Sequence, residues 1–266
     1  MFTEKFKELG INILIDTHLH IGRLSSLNVP SGGDSDIIYL LKKYGIERAV
    51  VSHHQALASV FDGLEQTLDM LEKHSPLICA YLVFNPNYSV QSLEIIKEYI
   101  SFNGVKGVKI HPSWHACYPY DEKYREFWEF ANKNRLTVLT HSWNPDAPNR
   151  AQKFSDAFFF DSIAKQYPGI NLILAHAGGR GSYLYRVMEI VGSNSNVYVD
   201  FSGDIFEPGL IKAYVQGLGS SEKLLFGSDM PWIDIRFSIS SILNADISVE
   251  DKRNIFGLNA MKLFGF

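Results

Sequence analysis

The chain has two cysteines, Cys79 and Cys117, among 266 residues. Two such thiols make neither a disulfide framework nor a Cys-x-x-Cys metal site, so stability has to come from an apolar core. Cys79 sits in an apolar run and reads as a small core residue. Long hydrophobic runs are missing too, and Met1 to Gly10 alternates charge with Phe and Leu. No signal peptide, no membrane partner and a cytoplasmic location are therefore expected. Positive charge is not in excess: 25 Lys and Arg stand against 29 Asp and Glu, a formal net charge of -4. That balance argues against nucleic acid as a partner and favours a small-molecule substrate. Neither a Gly-rich phosphate turn nor a GxSxG nucleophile elbow occurs, although Ser142 and Ser228 adjoin a histidine and an aspartate.

What the chain does have is a regular beat. Short apolar runs recur at Ile11 to Ile15, Arg48 to Ser52, Leu77 to Val83, Val105 to Ile110, Leu136 to Thr140, Asn171 to Ala175, Val197 to Phe201 and Leu224 to Gly227. Between and after them lie amphipathic stretches: Asp36 to Tyr44, Leu64 to Lys73, Ser92 to Ile100, Glu122 to Asn132, Asp156 to Tyr167, Tyr183 to Val191, Leu210 to Gly217 and Glu250 to Leu263. Eight alternating strand and helix units predict parallel pairing and a closed (β/α)8 TIM barrel. With no linker or composition break, residues 1–266 are expected to form a single domain.

In such a barrel the reactive face lies at the carboxyl ends of the strands. The first apolar run closes on Asp16-Thr17-His18-Leu19-His20, and two imidazoles two residues apart on a strand share one face. Neutral ring nitrogens paired in this way can grip a divalent metal. Other strand ends supply partners: Leu139-Thr140-His141, Leu174-Ala175-His176 and Phe226-Gly227-Ser228-Asp229. Alternation along Val108-Lys109-Ile110-His111 turns Lys109 and His111 inward. Asp16 is placed to accept a hydrogen bond that orients an imidazole. Five potential ligands on one rim, His18, His20, His141, His176 and Asp229, point to a metal site.

These residues carry a resemblance. DTHLH, the histidine after the fifth strand, AHAGG after the sixth and FGSDMPW after the eighth resemble the amidohydrolase superfamily of metal-dependent barrels. GVKIHP, FGSDMPW and NIFGLNAMKLFGF are similar to its aminocarboxymuconate semialdehyde decarboxylase-like branch, over nearly the full length. The resemblance implies one divalent ion on His18, His20, His141 and Asp229. Three imidazoles and a carboxylate favour Zn2+ and also accept Mn2+ or Fe2+. It further implies a hydrolase of an amide, ester or lactone bond, with Asp229 taking a proton from metal-activated water and His176 polarising the carbonyl. The alternative is a lyase, a decarboxylase or hydratase acting on a small carboxylic acid.

Lys109 has two readings by the same resemblance. It is either a carboxylated bridge to a second ion, with His176 as that ion's ligand, or a cation for a substrate carboxylate. Arg23, His53, His54, His111, His115, Trp143 and Arg180 fall just beyond strand ends. Of these, Arg23, His111, Trp143 and Arg180, together with Lys109, are the candidate substrate contacts. A homodimer is compatible with this barrel class.

Overall fold

The computed structural model describes residues 2–22, 33–179, 183–203 and 207–266. Eight strands run in sequence order through one parallel sheet. They are β1 (Ile15–Ile21), β2 (Arg48–His53), β3 (Ile78–Val83), β4 (Val105–Ile110), β5 (Thr137–Thr140), β6 (Asn171–Leu174), β7 (Val197–Asp200) and β8 (Leu224–Leu225). Helices follow them on the outside, so the expected (β/α)8 architecture is present. The helix Asp34–Tyr44 illustrates the local cause: two aspartates in its first turn, two lysines in its last, and Gly45 closing it at a φ of 73°.

Seven strand pairs are ladders, and the eighth seam, between β8 and β1, is closed by the chain just beyond β8. Thr17 donates its backbone N–H and its hydroxyl to Phe226 O, both at 2.9 Å. The N–H groups of Ser228 and Asp229 reach His18 O at 3.1 and 2.8 Å, and His20 N–H reaches Met230 O at 2.7 Å.

β1 corrects the sequence expectation. The apolar run Ile11 to Ile15 is not the strand; the strand starts at Ile15 and contains the whole DTHLH motif. Ile11 and Leu14 are buried in the outer layer between strands and helices, where an apolar side chain needs no ladder. Ile15 instead packs inside the barrel with Val50, Tyr81, Leu139, Ile173 and Leu225. Ile15 and His18 cannot both face inward on an unbroken strand, since strict alternation puts residues three apart on opposite faces. A register shift between Asp16 and Leu19 changes that parity. The irregularity is what turns His18 and His20 to the interior while Leu19 and Ile21 pack outward.

The expected C-terminal helix Glu250 to Leu263 is divided. Val249–Arg253 begins with a Ser248–Asp251 capping box, Asn254–Leu258 forms a π turn, and Asn259–Phe264 carries Ala260 and Phe264 against the barrel interior. A further helix, Ile235–Leu243, capped by Asp234, follows β8 and had no counterpart in the periodicity. Ser- and Ile-rich, it lacks the polar stripe that marks a surface helix.

Gly227 lies on the seam with no room for a side chain. A Cβ there would stand 3.0 Å from both the His18 and the Ser202 Cβ atoms and 3.3 Å from Asp200 Cγ. Gly227→Ala should therefore cost about 1–3 kcal/mol through overpacking. The urea midpoint measures it, and an unchanged midpoint would refute the crowding.

Candidate metal centre

The seam and the β1 irregularity together set the site. Asp229 is held in a left-handed backbone conformation, φ 58°, by its bond to His18 O. His176 and Ala177 are also left-handed, at φ 56° and 54°. Non-glycine residues adopt this region rarely, and such strain concentrates where side chains must be aimed. Asp16 acts on the backbone and not on an imidazole: its Oδ1 accepts from the N–H groups of His18 (3.1 Å) and Ser228 (3.0 Å). Burial pushes its carboxyl up to about 7.

Each imidazole is pinned from behind. His18 Nδ1 lies 3.0 Å from Asp200 Oδ2 and 2.9 Å from Ser202 Oγ. His176 Nδ1 lies 3.3 Å from Ser202 O, His20 Nδ1 is 2.9 Å from Ser52 Oγ, and His141 Nε2 is 3.0 Å from Gln152 Oε1. A carboxylate and an amide oxygen can only accept, so His18 and His141 donate there and turn their other nitrogens inward as acceptors, while the Ser202 hydroxyl, 3.0 Å from His176 Nδ1, can give or take a proton.

Those inward atoms converge. His20 Nε2 is 3.3 Å from Asp229 Oδ1, His18 Nε2 is 3.7 Å from the same oxygen, and His141 Nδ1 is 3.1 Å from His176 Nε2. Ligands at 2.0–2.1 Å from one tetrahedral ion stand roughly 3.3 Å apart, which is the spacing of His20 and Asp229 and close to that of His18 and Asp229, whereas His141 stands beside His176 and outside both compact groups. His18, His20 and Asp229 form one group able to hold a metal; His18, His176 and Asp200 form another. In the second group Asp200 is already engaged, since its Oδ1 also accepts from the N–H groups of His176 and Ser202, both at 3.0 Å. Asp200 thus orients histidines and is not itself a free ligand.

Protonation favours the same use. Burial lowers His18, His111 and His176 well below the ordinary histidine range, and brings His20 and His141 down to about 3. Neutral imidazole is the form that binds metal. Lys109, 1% exposed, reaches His18 Nε2 at 3.1 Å. Burial lowers its ammonium to about 8, while Asp200 and Asp229 pull the other way.

Above these residues opens a cavity of about 500 Å³, lined among others by Lys109, Trp114, Trp143, Gln152 and Trp232. Its inner walls are flat. The His54 ring stacks on His20 at 4.6 Å and 13°, and the His111 ring on His141 at 4.1 Å and 12°. Both nitrogens of His54 are committed, Nδ1 to Gly22 O and Nε2 to the Trp232 indole N–H, each at 2.8 Å.

Of the sequence-derived candidates, the structure brings together His18, His20, Lys109, His111, His141, Trp143, His176 and Asp229, with His54 beside them. His53 instead caps the short helix His54–Ala58, and His115 is tied to Leu57 O at 2.8 Å. Arg23 and Arg180 lie outside the described residues. Asp200, Ser202, Gln152 and Trp232 were not anticipated. Asp200 ends β7 and answers to the same strand-end criterion as His141; Gln152 and Trp232 sit on loops, where no pattern marks them.

The burial has a consequence for the metal-free protein. Unfolded histidines titrate near 6.5, so below that pH the unfolded chain takes up protons that the folded site refuses, and stability falls as the pH drops. Asp16 opposes this between about 7 and 3.8, gaining its proton in the folded state, but it is one group against at least five imidazoles. Each net proton contributes about 1.4 kcal/mol per pH unit. The urea midpoint of chelator-treated protein should fall between pH 7 and 5, and a flat profile would contradict the buried neutral imidazoles.

Comparison with known proteins places this geometry. The model of the amidohydrolase family matches residues 15–266. No curated protein sequence matches the chain. Among solved structures, 2,6-dihydroxybenzoate decarboxylase from Rhizobium superposes with a TM-score of 0.78 at 17% identity, over 96% of this chain and 99% of that one. Dihydroxybenzoic acid decarboxylase from Polaromonas sp. JS666, with bound manganese and the inhibitor 2-nitroresorcinol, gives 0.74 at 17%, over 96% and 97%. The 5-carboxyvanillate decarboxylase from Novosphingobium aromaticivorans DSM 12444, complexed with manganese and a nitrobenzoic acid, gives 0.77 at 16%, over 97% of each chain. At these identities the likeness establishes a shared fold.

Proposed function

Since the chain belongs to the amidohydrolase family, we propose that it is a metal-dependent carboxy-lyase that removes CO2 from a small planar, aromatic carboxylic acid. The sequence points first to a hydrolase; several of the solved structures it resembles are decarboxylases, and the cavity favours the lyase. The observation that carries this reading is a buried lysine ammonium beside two flat imidazole stacks. Such a slot accepts a ring edge-in and offers its carboxylate a cation in a dry setting.

His18, His20, His141 and Asp229 would hold the divalent ion, zinc or manganese by donor type. Bound there, the ion supplies a Lewis acid that offsets the negative charge of the acid and its ring oxygens. Lys109 binds the carboxylate as an ammonium, a form that Asp200 and Asp229 both favour. Decarboxylation replaces a C–C bond by a C–H bond, so a proton has to reach the ring carbon. Asp229, its side chain 15% exposed where it lines the cavity, can collect that proton from water and deliver it. The stacked rings and Trp143 keep the substrate carboxylate turned inward.

Three measurements test this. Metal-loaded protein should release CO2 from ortho-hydroxybenzoates while leaving lactones and esters intact; lactone opening without CO2 release would return the hydrolase. Asp229→Asn should lower kcat by at least 100-fold, within the range general acids contribute, about 10²–10⁴, with the fold intact by circular dichroism. Elemental analysis should find one metal per chain; two, with a 44 Da adduct on the Lys109 peptide, would establish the carboxylated bridge.

A further inference from the structure

We infer that Gln152 is a positioning residue that fixes the tautomer of His141 and so aims its Nδ1 at the metal centre. This rests on the proposed role of His141 as a ligand. Gln152 Oε1 lies 3.0 Å from His141 Nε2, and an amide oxygen accepts only, so the ring proton sits on Nε2 and Nδ1 is bare. The facing atom, His176 Nε2, is 3.1 Å away, and its ring's far nitrogen, Nδ1, lies 3.0 Å from Ser202 Oγ and 3.3 Å from Ser202 O. A bare His141 Nδ1 can accept from that neighbour or face a cation. A reversed amide would present its NH2 group to His141 Nε2 and place the ring proton on Nδ1. His141 would then donate to His176, and both nitrogens would be lost to the ion. The orientation of one amide therefore decides whether His141 offers a lone pair or a proton.

The segment that carries Gln152 is anchored at both ends. Gln152 lies in the two-turn 3-10 segment Arg150–Ser155, started by Asn149, whose Oδ1 accepts from Ala151 N–H at 3.0 Å. The segment's far end, the buried Ser155, is clasped to the loop after β4: Ser113 N–H donates to Ser155 Oγ, and Ser155 Oγ donates to Ser113 Oγ, each at 2.9 Å. Trp143 N–H, two residues past His141, donates to Ser155 O at 2.9 Å. Gln152 is thus tied to the ends of β4 and β5 at once. The choice of an amide also distinguishes this edge from the other. His18 is backed by the carboxylate of Asp200, whereas His141 is backed by a neutral group that adds no negative charge on the side where an anionic acid would enter.

The test measures zinc and manganese dissociation constants by chelator competition for the wild-type protein, Gln152→Leu, Gln152→Glu and His141→Ala. It also records the imidazole 15N spectrum of the metal-free proteins. Gln152→Leu should weaken binding by about 10–100-fold, the usual effect of removing a group that orients a ligand, and its His141 should lose the pure Nε2–H signature. Gln152→Glu keeps an acceptor and should recover both. If Gln152→Leu binds as tightly as wild type while His141→Ala does not, the positioning role is wrong and the ligand assignment survives. If His141→Ala itself binds normally, the ligand assignment fails. A loss in Gln152→Leu that Gln152→Glu does not recover would assign the effect to loop packing and overturn the inference.

Discussion

The molecule depends on the seam between its first and last strands. β8 is short, and the barrel closes through the residues after it, whose amides bond to the carbonyl of His18. The hydrogen bond from Asp229 N–H to His18 O at 2.8 Å therefore helps close the barrel and also sets the Asp229 carboxylate beside the first histidine. Fold and site cannot be separated here. A change that loosens the seam displaces Asp229, and a side chain added at Gly227 presses on His18, Ser202 and Asp200 together.

The second constraint is electrostatic. Several imidazoles, two carboxylates and an ammonium share a space that burial removes from water. Charged histidines would be costly there, and burial keeps them neutral. Neutrality alone does not make a ligand, because each ring has two nitrogens and only one faces the centre. Asp200, Ser202, Ser52 and Gln152 settle which one, by engaging the nitrogen on the far side. Both the metal-binding form and the direction of each lone pair thus follow from groups outside the ligand set.

Much of this was legible in the sequence. The strand and helix beat fixed the barrel, and reading strand ends found His141, His176 and Asp229, because position at a strand terminus is a local property. The pairing of His18 with His20 needed only their two-residue spacing. The start of β1 differs for a physical reason: Ile11 to Ile15 is as apolar as a strand, but Ile11 and Leu14 are buried in the outer layer, Asn12 is exposed, and of the five only Ile15 pairs in the ladder. The irregularity that restores the inward parity of His18 leaves no mark in the residue types. Gln152 and Trp232 were invisible because loop residues are recruited by tertiary proximity, 11 residues beyond His141 in one case and 178 residues from His54 in the other.

The chemistry is decided by what surrounds the ligands. Three histidines and an aspartate can serve hydrolysis or decarboxylation, so the donor set does not choose between them. A hydrolase acting on an ester or amide meets a neutral carbonyl and gains little from a buried ammonium. An enzyme acting on an acid meets a full negative charge that has to leave water, and Lys109 meets that need at the floor of the cavity. If the ring carbon takes its proton before CO2 leaves, the charge lies in the π system and on the ring oxygens, so the proposed reaction calls for a ring, and a ring requires flat walls. His54 and His111 supply them, each stacked on a proposed ligand and each held too firmly by its neighbours to swing aside. On the proposed reading, the imidazole stacks that brace the ligands also shape the slot above them, so a preference for a planar acid would be built from the residues that hold the metal.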